Sequence, residues 1–179
     1  MNANDQGAAT AKVSVAESMT EMRLVTARKR LAASCDQQDA LEGLREIVGT
    51  FLGSEEVGLF TLDRGAASFQ LFWSFGVDLE NYDLHKALGR AGRERMMRGE
   101  YHVDITGHDR RGKEEPAHAF IPIKANGRTV AVLAILGLLP QKNGFDRSDF
   151  ELFALLTNEA GAPLFGETSS SAREMKAGK

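Results

Sequence analysis

The stretch that most limits the possible folds is FIPIKANGRTVAVLAILG, which runs from Phe120 to Gly137. Asn126 and Gly127 favour the positive φ angles of a type I′ hairpin turn, so they predict two paired strands. In the returning strand, residues 129–136, both alternating sets of side chains are apolar. An antiparallel strand with one wet face would alternate apolar and polar residues instead. We therefore expect this strand to lie in the centre of a sheet that is covered on both faces.

Helical and extended patterns on either side of this hairpin predict what covers the sheet. Apolar residues at three- and four-residue spacing indicate two helices before the hairpin and one after it, capped by Ser18 or Thr20, by Asp39 and by Asp146. The runs VGLFTLD and SFQLFWSFG predict an earlier hairpin. The second run partly alternates, which places Phe69, Leu71, Trp73 and Phe75 on one face. Between the two hairpins, residues 77–116 are irregular apart from one short helical stretch.

These elements predict an α+β fold. Its core is a central antiparallel sheet of five or six strands, with the terminal helices on one face and loops and a short helix over the other. A sheet face that is roofed in this way is a natural place for a small-molecule cavity. The 179 residues are enough for one domain. We expect it to span residues 17–166, between disordered tails at 1–16 and 167–179.

Charge and cysteine content exclude several classes of function. With 22 Lys and Arg against 25 Asp and Glu, the chain lacks the overall positive charge that nucleic-acid binders use. The longest apolar run, residues 130–139, is too short to cross a membrane. The single cysteine, Cys35, permits neither an internal disulfide nor a four-cysteine zinc site. No signal peptide is evident at the N-terminus, so we expect a cytoplasmic protein.

Three stretches, taken in order, resemble the GAF domain family over roughly residues 19–164. They are DALEGLREIVGTFLGSEEVGLFTLD, GRERMMRGEYHVDITGHD and AFIPIKANGRTVAVLAILGLLPQKNGFDRSDFELFALLTNEA. The resemblance implies a GAF/PAS-like fold and a sensory module for signal transduction, which binds a small molecule and dimerises through its terminal helices. It also implies a separate signalling protein as partner.

The ligand classes of that family leave the cofactor of this chain unknown. Lys142-Asn143, Phe145 and Asp149 partly match the pattern of cyclic-nucleotide members, but Lys and Asn are reversed and Phe150 stands where Glu is expected. Cys35 lies between two predicted helices, which argues against a covalent chromophore. The family's methionine sulfoxide reductase uses clustered cysteines, and one cysteine does not suffice. We expect no metal, because the four histidines are irregularly spaced.

Candidate ligand contacts come from the first hairpin and from the middle segment. Strand aromatics can stack on a planar ligand or form plain core, and arginines of the basic middle segment can hold an anion or form a solvated helix face. Histidines near the roof can line a pocket or simply pack. The candidates are Phe60, Trp73, Phe75, Arg90, Arg93, His102, Asp104 and His118.

Three functions are compatible with these residues. The first is a sensor that binds a small, anionic metabolite under the roof and signals to another protein. The second is a ligand-free interaction module, whose cavity is filled by Trp73, Phe75, Met96 and Met97. The third is an enzyme, which would require His102, Asp104 and His118 to converge in one cleft. No nucleophile elbow or catalytic triad pattern is present, so we expect a protein that is not an enzyme.

A thin apolar stripe on the first helix predicts a homodimer. Met22, Val25 and Leu31 lie among basic residues and form too narrow a surface for a core helix. We expect this stripe to pair with its copy and with the last helix, around Leu156.

Overall fold

The computed structural model describes residues 3–63, 68–104 and 118–166. Its helices are α1 (Ala3–Ala32), α2 (Gln37–Ile47), α3 (Leu84–Arg98), α4 (Arg147–Glu159) and α5 (Gly161–Phe165), and a π-helical turn, Val48–Leu52, continues α2. Its strands are β1 (Glu56–Asp63), β2 (Ser68–Phe75), β3 (His102–Asp104), β4 (His118–Ala125) and β5 (Arg128–Gly137). The predicted α+β fold is confirmed.

The five strands form one antiparallel sheet in the order β2-β1-β5-β4-β3. β5 is the central strand, as its sequence predicts, and its residues from Ala131 to Gly137 are all buried. Asn126 and Gly127 form the turn of the β4–β5 hairpin, both at positive φ. The sheet is therefore organised around the one strand that is apolar on both faces.

One face of the sheet packs against the terminal helices. Ala131, Leu133 and Ile135 of β5 share a buried cluster with side chains of α1, α2, α4 and α5, including Leu44 and Phe153. This helical layer contains the larger part of the apolar core.

The other face, here called the roof face, is covered by α3 as the single helix among the described residues. Val132 and Ala134 of β5 pack there with Phe60, Phe120 and Met96. The centre of the roof face is thus filled by side chains, and open space is left only towards the end of the sheet where the hairpins turn.

A β-bulge at Phe72 divides the aromatic residues of β2 between the two faces. Leu59 pairs with Trp73, while the next residue, Phe60, pairs with Leu71. Phe69 therefore packs on the roof face and Trp73 packs with the helical layer. A bulge inserts one residue and reverses the alternation of side chains beyond it. The sequence pattern that places Phe69, Leu71, Trp73 and Phe75 on one face is therefore wrong.

Helix α1 differs from its predicted form at its start. It begins at Ala3 rather than at Ser18 or Thr20, and it includes most of the segment predicted to be a disordered tail. The predicted tail at 167–179 lies outside the described residues. In the part of the chain that the structure describes, no helix has the length and apolarity needed to cross a membrane.

Candidate functional site: a basic cavity on the roof face

A cavity of about 560 Å³ opens on the roof face where both hairpins turn. We call it the basic cavity. Leu62 and Phe69, a cross-strand pair, contribute from the β1–β2 hairpin. Among the described residues, its lining is Leu62, Phe69, His85, Arg93, Met97, Arg98, Lys124, Gly127, Arg128 and Thr129. A volume of this size accommodates an organic small molecule.

Helix α3 forms the outer wall of the basic cavity and is bent in the middle. Gly89 has φ 57° and ψ −170°, so the helical hydrogen bonding is interrupted there. His85 precedes the bend, and Arg93, Met97 and Arg98 follow it. A hydrogen bond of 2.9 Å from Arg93 Nη1 to the carbonyl of His85 spans the bend. The wall therefore consists of two short helical pieces that Arg93 holds together.

The end of α3 is fixed to the sheet. Thr129 Oγ1 donates a buried hydrogen bond of 2.8 Å to the carbonyl of Met96. The helix then ends at Gly99, whose φ of 74° is the left-handed conformation that glycine accepts most easily. The side chain of Lys124 lies directly over Gly99, where a Cβ atom would clash with it. These contacts place Arg98 and Lys124 at the same corner of the cavity.

The electrostatics of the basic cavity are unusual for this molecule. Arg93, Lys124 and Arg128 form no ion pair with any described residue, and Arg98 pairs with Glu100, which lowers the pKa of that carboxyl. Every other arginine whose side chain the structure describes has a carboxylate partner. None of the lining residues that the structure describes is acidic. Like charges held together raise the local positive potential, which attracts anions.

His85 serves as a structural side chain of this wall. Its Nε2 accepts a hydrogen bond of 3.3 Å from the backbone N–H of Phe69, and the two rings lie 5.2 Å apart. An accepting Nε2 carries no proton, so the hydrogen-bonded imidazole is neutral. His85 thereby attaches α3 to the start of β2.

Comparison with solved structures identifies the architecture around this cavity. A GAF domain from a phosphoenolpyruvate-protein phosphotransferase of Coxiella burnetii matches with a TM-score of 0.61 at 17% identity, over 86% of this chain and 96% of that one. A GAF domain of Synechocystis in its photoproduct state matches with a TM-score of 0.54 at 14% identity, over 79% of this chain and 100% of that one. The chain has the GAF fold. No protein-family model and no curated protein matches the sequence.

An enzyme shares the GAF fold of this chain. The free methionine-R-sulfoxide reductase of Neisseria meningitidis, solved with its substrate, matches with a TM-score of 0.57 at 19% identity, over 87% of this chain and 92% of that one. One fold hosts unrelated activities, so function must be argued from the site itself.

Among the candidate ligand contacts whose side chains the structure describes, only Arg93 lines the basic cavity. Arg90 lies on the outside of α3, where it pairs with Glu94. Phe60 is buried in the roof-face core. Trp73 packs with the helical layer, and the Phe75 ring lies under the Arg45 guanidinium of α2. These two aromatics are therefore not roof residues, because the bulge at Phe72 reverses their direction.

The predicted histidine and acid group is only partly described. The His102 ring stacks on Phe120, 6.3 Å away, and its buried Nδ1 has no hydrogen-bond partner among the described residues. Asp104 and His118 are opposite each other in the β3–β4 pairing, and their side chains lie outside the described part of the chain. In that part, no group of His, Cys, Asp and Glu is arranged to hold a metal ion.

The residues that partly match the cyclic-nucleotide pattern lie on the helical face of the sheet, away from the cavity. Asp149 is completely buried and accepts from Arg23 at 2.9 Å and from Lys142 at 2.8 Å. It also accepts from the backbone N–H of Asp146, which completes a capping box at the start of α4. This network joins α1, α4 and the loop before α4, so its role is structural.

The predicted dimer contacts divide into two kinds. Leu31 and Leu156 are buried in the core of the protomer, with 3% and 0% exposure. Met22 and Val25 are 69% and 39% exposed, and Met19 next to them is 64% exposed. Among the α1 side chains that the structure describes, Met19, Met22 and Val25 are therefore the large exposed apolar ones.

Several residues of the basic cavity were not predicted from the sequence. Lys124, Gly127, Arg128 and Thr129 belong to the turn of the β4–β5 hairpin, which the sequence predicts only as a structural element. A usable signal is present, since Lys124 and Arg128 flank the Asn126-Gly127 turn with two cations. Strand order then decides their role, because it brings this turn beside β1 and under α3.

Proposed function

We propose that this chain is a regulatory GAF domain that binds a small anionic ligand in the basic cavity and relays binding to a separate protein. The observation that carries the proposal is the convergence at one cavity of Arg93, Lys124 and Arg128, three cations that have no carboxylate partner among the described residues. Guanidinium groups hold carboxylates and phosphates by paired, charge-assisted hydrogen bonds. An anion in the cavity would supply the missing counter-charge.

The surroundings of the cavity support a regulatory role. A ligand there touches both pieces of α3 and both hairpins, so it can favour one relative position of these elements over another. β4 and β5 carry the cavity residues on one side and pack against the helical layer on the other. A shift of the β4–β5 hairpin is thereby transmitted to α4 and α1, where a partner can bind.

The lining favours binding over catalysis. The part of the lining that the structure describes contains no carboxylate and no cysteine, and the acceptor nitrogen of its single histidine already holds the Phe69 N–H. General acid–base catalysis needs a group that is free to take or give a proton. We therefore propose a non-catalytic domain.

The first test is native mass spectrometry of the purified protein against its denatured mass. An excess mass that disappears on denaturation reveals a bound ligand, and we expect Arg93→Gln and Arg128→Gln to lose it. Arg90→Gln removes the same charge from the same helix outside the cavity and should retain it. A ligand that survives both cavity substitutions would contradict the proposed site.

A second candidate function is a dimerisation and protein-interaction module without a ligand. It is favoured by the exposed apolar residues Met19, Met22 and Val25 on α1. The filled centre of the roof face, with Met96 completely buried, also agrees with it. A protein that carries no bound molecule and binds no anion, yet is dimeric, would favour this function over the first.

A further inference from the structure

We infer that the anion held in the basic cavity is doubly charged, and that it is a phosphate monoester with an apolar organic group. This inference rests on the proposed function, since it names the ligand class of the same site. It follows from the number of cations and from the division of the lining into a charged part and an apolar part.

The charge of the lining is too large for a singly charged ligand. Arg93, Arg98, Lys124 and Arg128 all face the cavity, and Glu100 offsets one of these four charges. A carboxylate, a sulfate ester or a phosphodiester carries one negative charge and would leave most of this excess uncompensated. A phosphate monoester carries up to two charges near neutral pH, because its second pKa is about 6.

The positions of the cations fit a compact group with several acceptor oxygens. Lys124 lies over Gly99, beside Arg98 at the end of α3. Arg128 is two residues after Asn126 in the turn and pairs with Ala125, next to Lys124. A phosphoryl group offers three acceptor oxygens, which suits donors that approach from a helix end and from a hairpin turn.

The other part of the lining is apolar and lies on the other hairpin. Leu62 and Phe69 are opposite residues of β1 and β2, and Met97 adds a side chain that is 61% exposed. The cavity of about 560 Å³ is much larger than a phosphate ion needs. The Phe69 ring and the flexible Met97 thioether suit a flat or apolar organic group.

The test compares phenyl phosphate with phenyl sulfate, which have similar shapes but differ in charge. Isothermal titration calorimetry at pH 5.0 and 7.5 gives the Kd of each ligand. We expect phenyl phosphate to bind more tightly at pH 7.5, and the ratio of the two affinities to fall by roughly tenfold at pH 5.0, where the monoester is mostly singly charged. Taking the ratio at each pH cancels those effects of pH on the protein that are common to both ligands.

Matched variants locate the binding. Arg128 is exposed at a turn, so Arg128→Gln should fold normally, as circular dichroism will verify. We expect it to weaken phenyl phosphate binding by about tenfold or more. Arg90→Gln, which is outside the cavity, should change the Kd less than about twofold.

The outcomes separate this inference from the proposed function. Equal binding of both esters, with a ratio that does not change with pH, overturns the doubly charged ligand and retains an anion site. Binding of neither ester, together with a co-purified anion of another class in the native mass spectrum, also overturns the phosphate monoester alone. Binding of neither ester and no bound molecule overturns the inference and the proposed function together.

Discussion

Asp149 shows how much one buried carboxylate can organise. It has no exposure, it pairs with Arg23 of α1 and with Lys142 of the loop before α4, and it caps α4 through the Asp146 N–H. Arg23 also donates to the carbonyl of Phe51 in the π-helical turn. Removing one member of such a group leaves buried charges without a partner, which costs more than the net contribution of the ion pair.

We expect Asp149→Asn to lower the free energy of unfolding by about 3 kcal/mol, because Arg23 and Lys142 both lose their counter-charge while the side-chain volume is kept. Urea denaturation measures the change. Glu151→Gln breaks the exposed pair with Arg147 and should cost less than about 0.5 kcal/mol. Similar losses for the two variants would show that the Asp149 network is not a main connection of α1 to the domain.

The hydroxyl of Tyr82 is a second buried polar group, and its surroundings contrast with those of the Asp149 carboxylate. Its hydroxyl has no hydrogen-bond partner among the described residues, and its ring lies 5.9 Å from that of Phe60. Burial raises the pKa of Tyr82 to about 12. The folded state therefore holds this proton more tightly than the unfolded chain, whose tyrosine pKa is about 10.

This pKa predicts a pH dependence with a definite sign. The stabilisation by protonated Tyr82 is complete below pH 10 and is lost as the pH rises towards 12. We expect Tyr82→Phe to be as stable as the wild type or slightly more stable at pH 7, and to lose less stability between pH 10 and 11.5. Chemical denaturation at each pH is the measurement. Parallel curves for the wild type and Tyr82→Phe would refute the prediction.

At the level of elements, the bend of α3 is the feature that builds the cavity. Gly89 lies at φ 57° and ψ −170°, which is a region that residues with a Cβ rarely adopt. No neighbouring atom lies within 4 Å of where its Cβ would be. A substitution of Gly89 therefore strains the backbone but causes no packing clash.

We expect Gly89→Ala to lower stability by about 1–3 kcal/mol and to abolish anion binding. Alanine favours a continuous helix, which would move His85 relative to Arg93. Ala91→Gly, in the same exposed helix, should cost about 1 kcal/mol through helix propensity alone and keep binding intact. Calorimetric titration with phenyl phosphate and thermal unfolding of both variants give the comparison. Unchanged binding by Gly89→Ala would mean that the bend has no part in the site.

The elements differ in how well the sequence predicts them, and the reasons are physical. The β4–β5 hairpin can be predicted from Asn126-Gly127, because this pair favours a tight turn in which both residues have positive φ. The bulge at Phe72 has no such local signal, since it depends on how β2 pairs with β1. Missing it places Trp73 and Phe75 at a ligand site on the wrong face.

The candidate site is predicted less completely than the fold because it is assembled from distant segments. Arg93 is identifiable within a basic helix, but Lys124 and Arg128 acquire a role only when the strand order brings their turn beneath α3. Ion pairing also decides which arginine keeps an uncompensated charge, and the sequence does not show which residues pair. Arg90 and Arg93 look equivalent as residues, yet Glu94 neutralises the first and no described carboxylate neutralises the second.

For the whole molecule, we propose that two copies associate through the surface of α1. Leu31 and Leu156 belong to the core, and replacing them tests stability rather than assembly. Met22 and Val25 are exposed and can be changed without opening the core.

We expect the double variant Met22→Glu and Val25→Glu to be monomeric, because charges would be buried in an apolar interface. Size-exclusion chromatography with light scattering at several concentrations measures the mass. Met97→Glu makes the same kind of change on a methionine of similar exposure across the sheet, and it should remain dimeric. A dimeric double variant would place the interface elsewhere.

The length of α1 relative to its attachment has a mechanical consequence. The 30-residue helix is held by Arg23 and Arg28, both in its C-terminal half, through their pairs with Asp149 and Glu159 of α4. From Ala3 to Arg23 the helix extends about 30 Å, so a tilt of about 5° at α4 displaces its first turn by about 2.6 Å. We propose that α1 acts as a lever whose pivot is next to the sheet, so that a small tilt at the pivot becomes a larger displacement of its first turn.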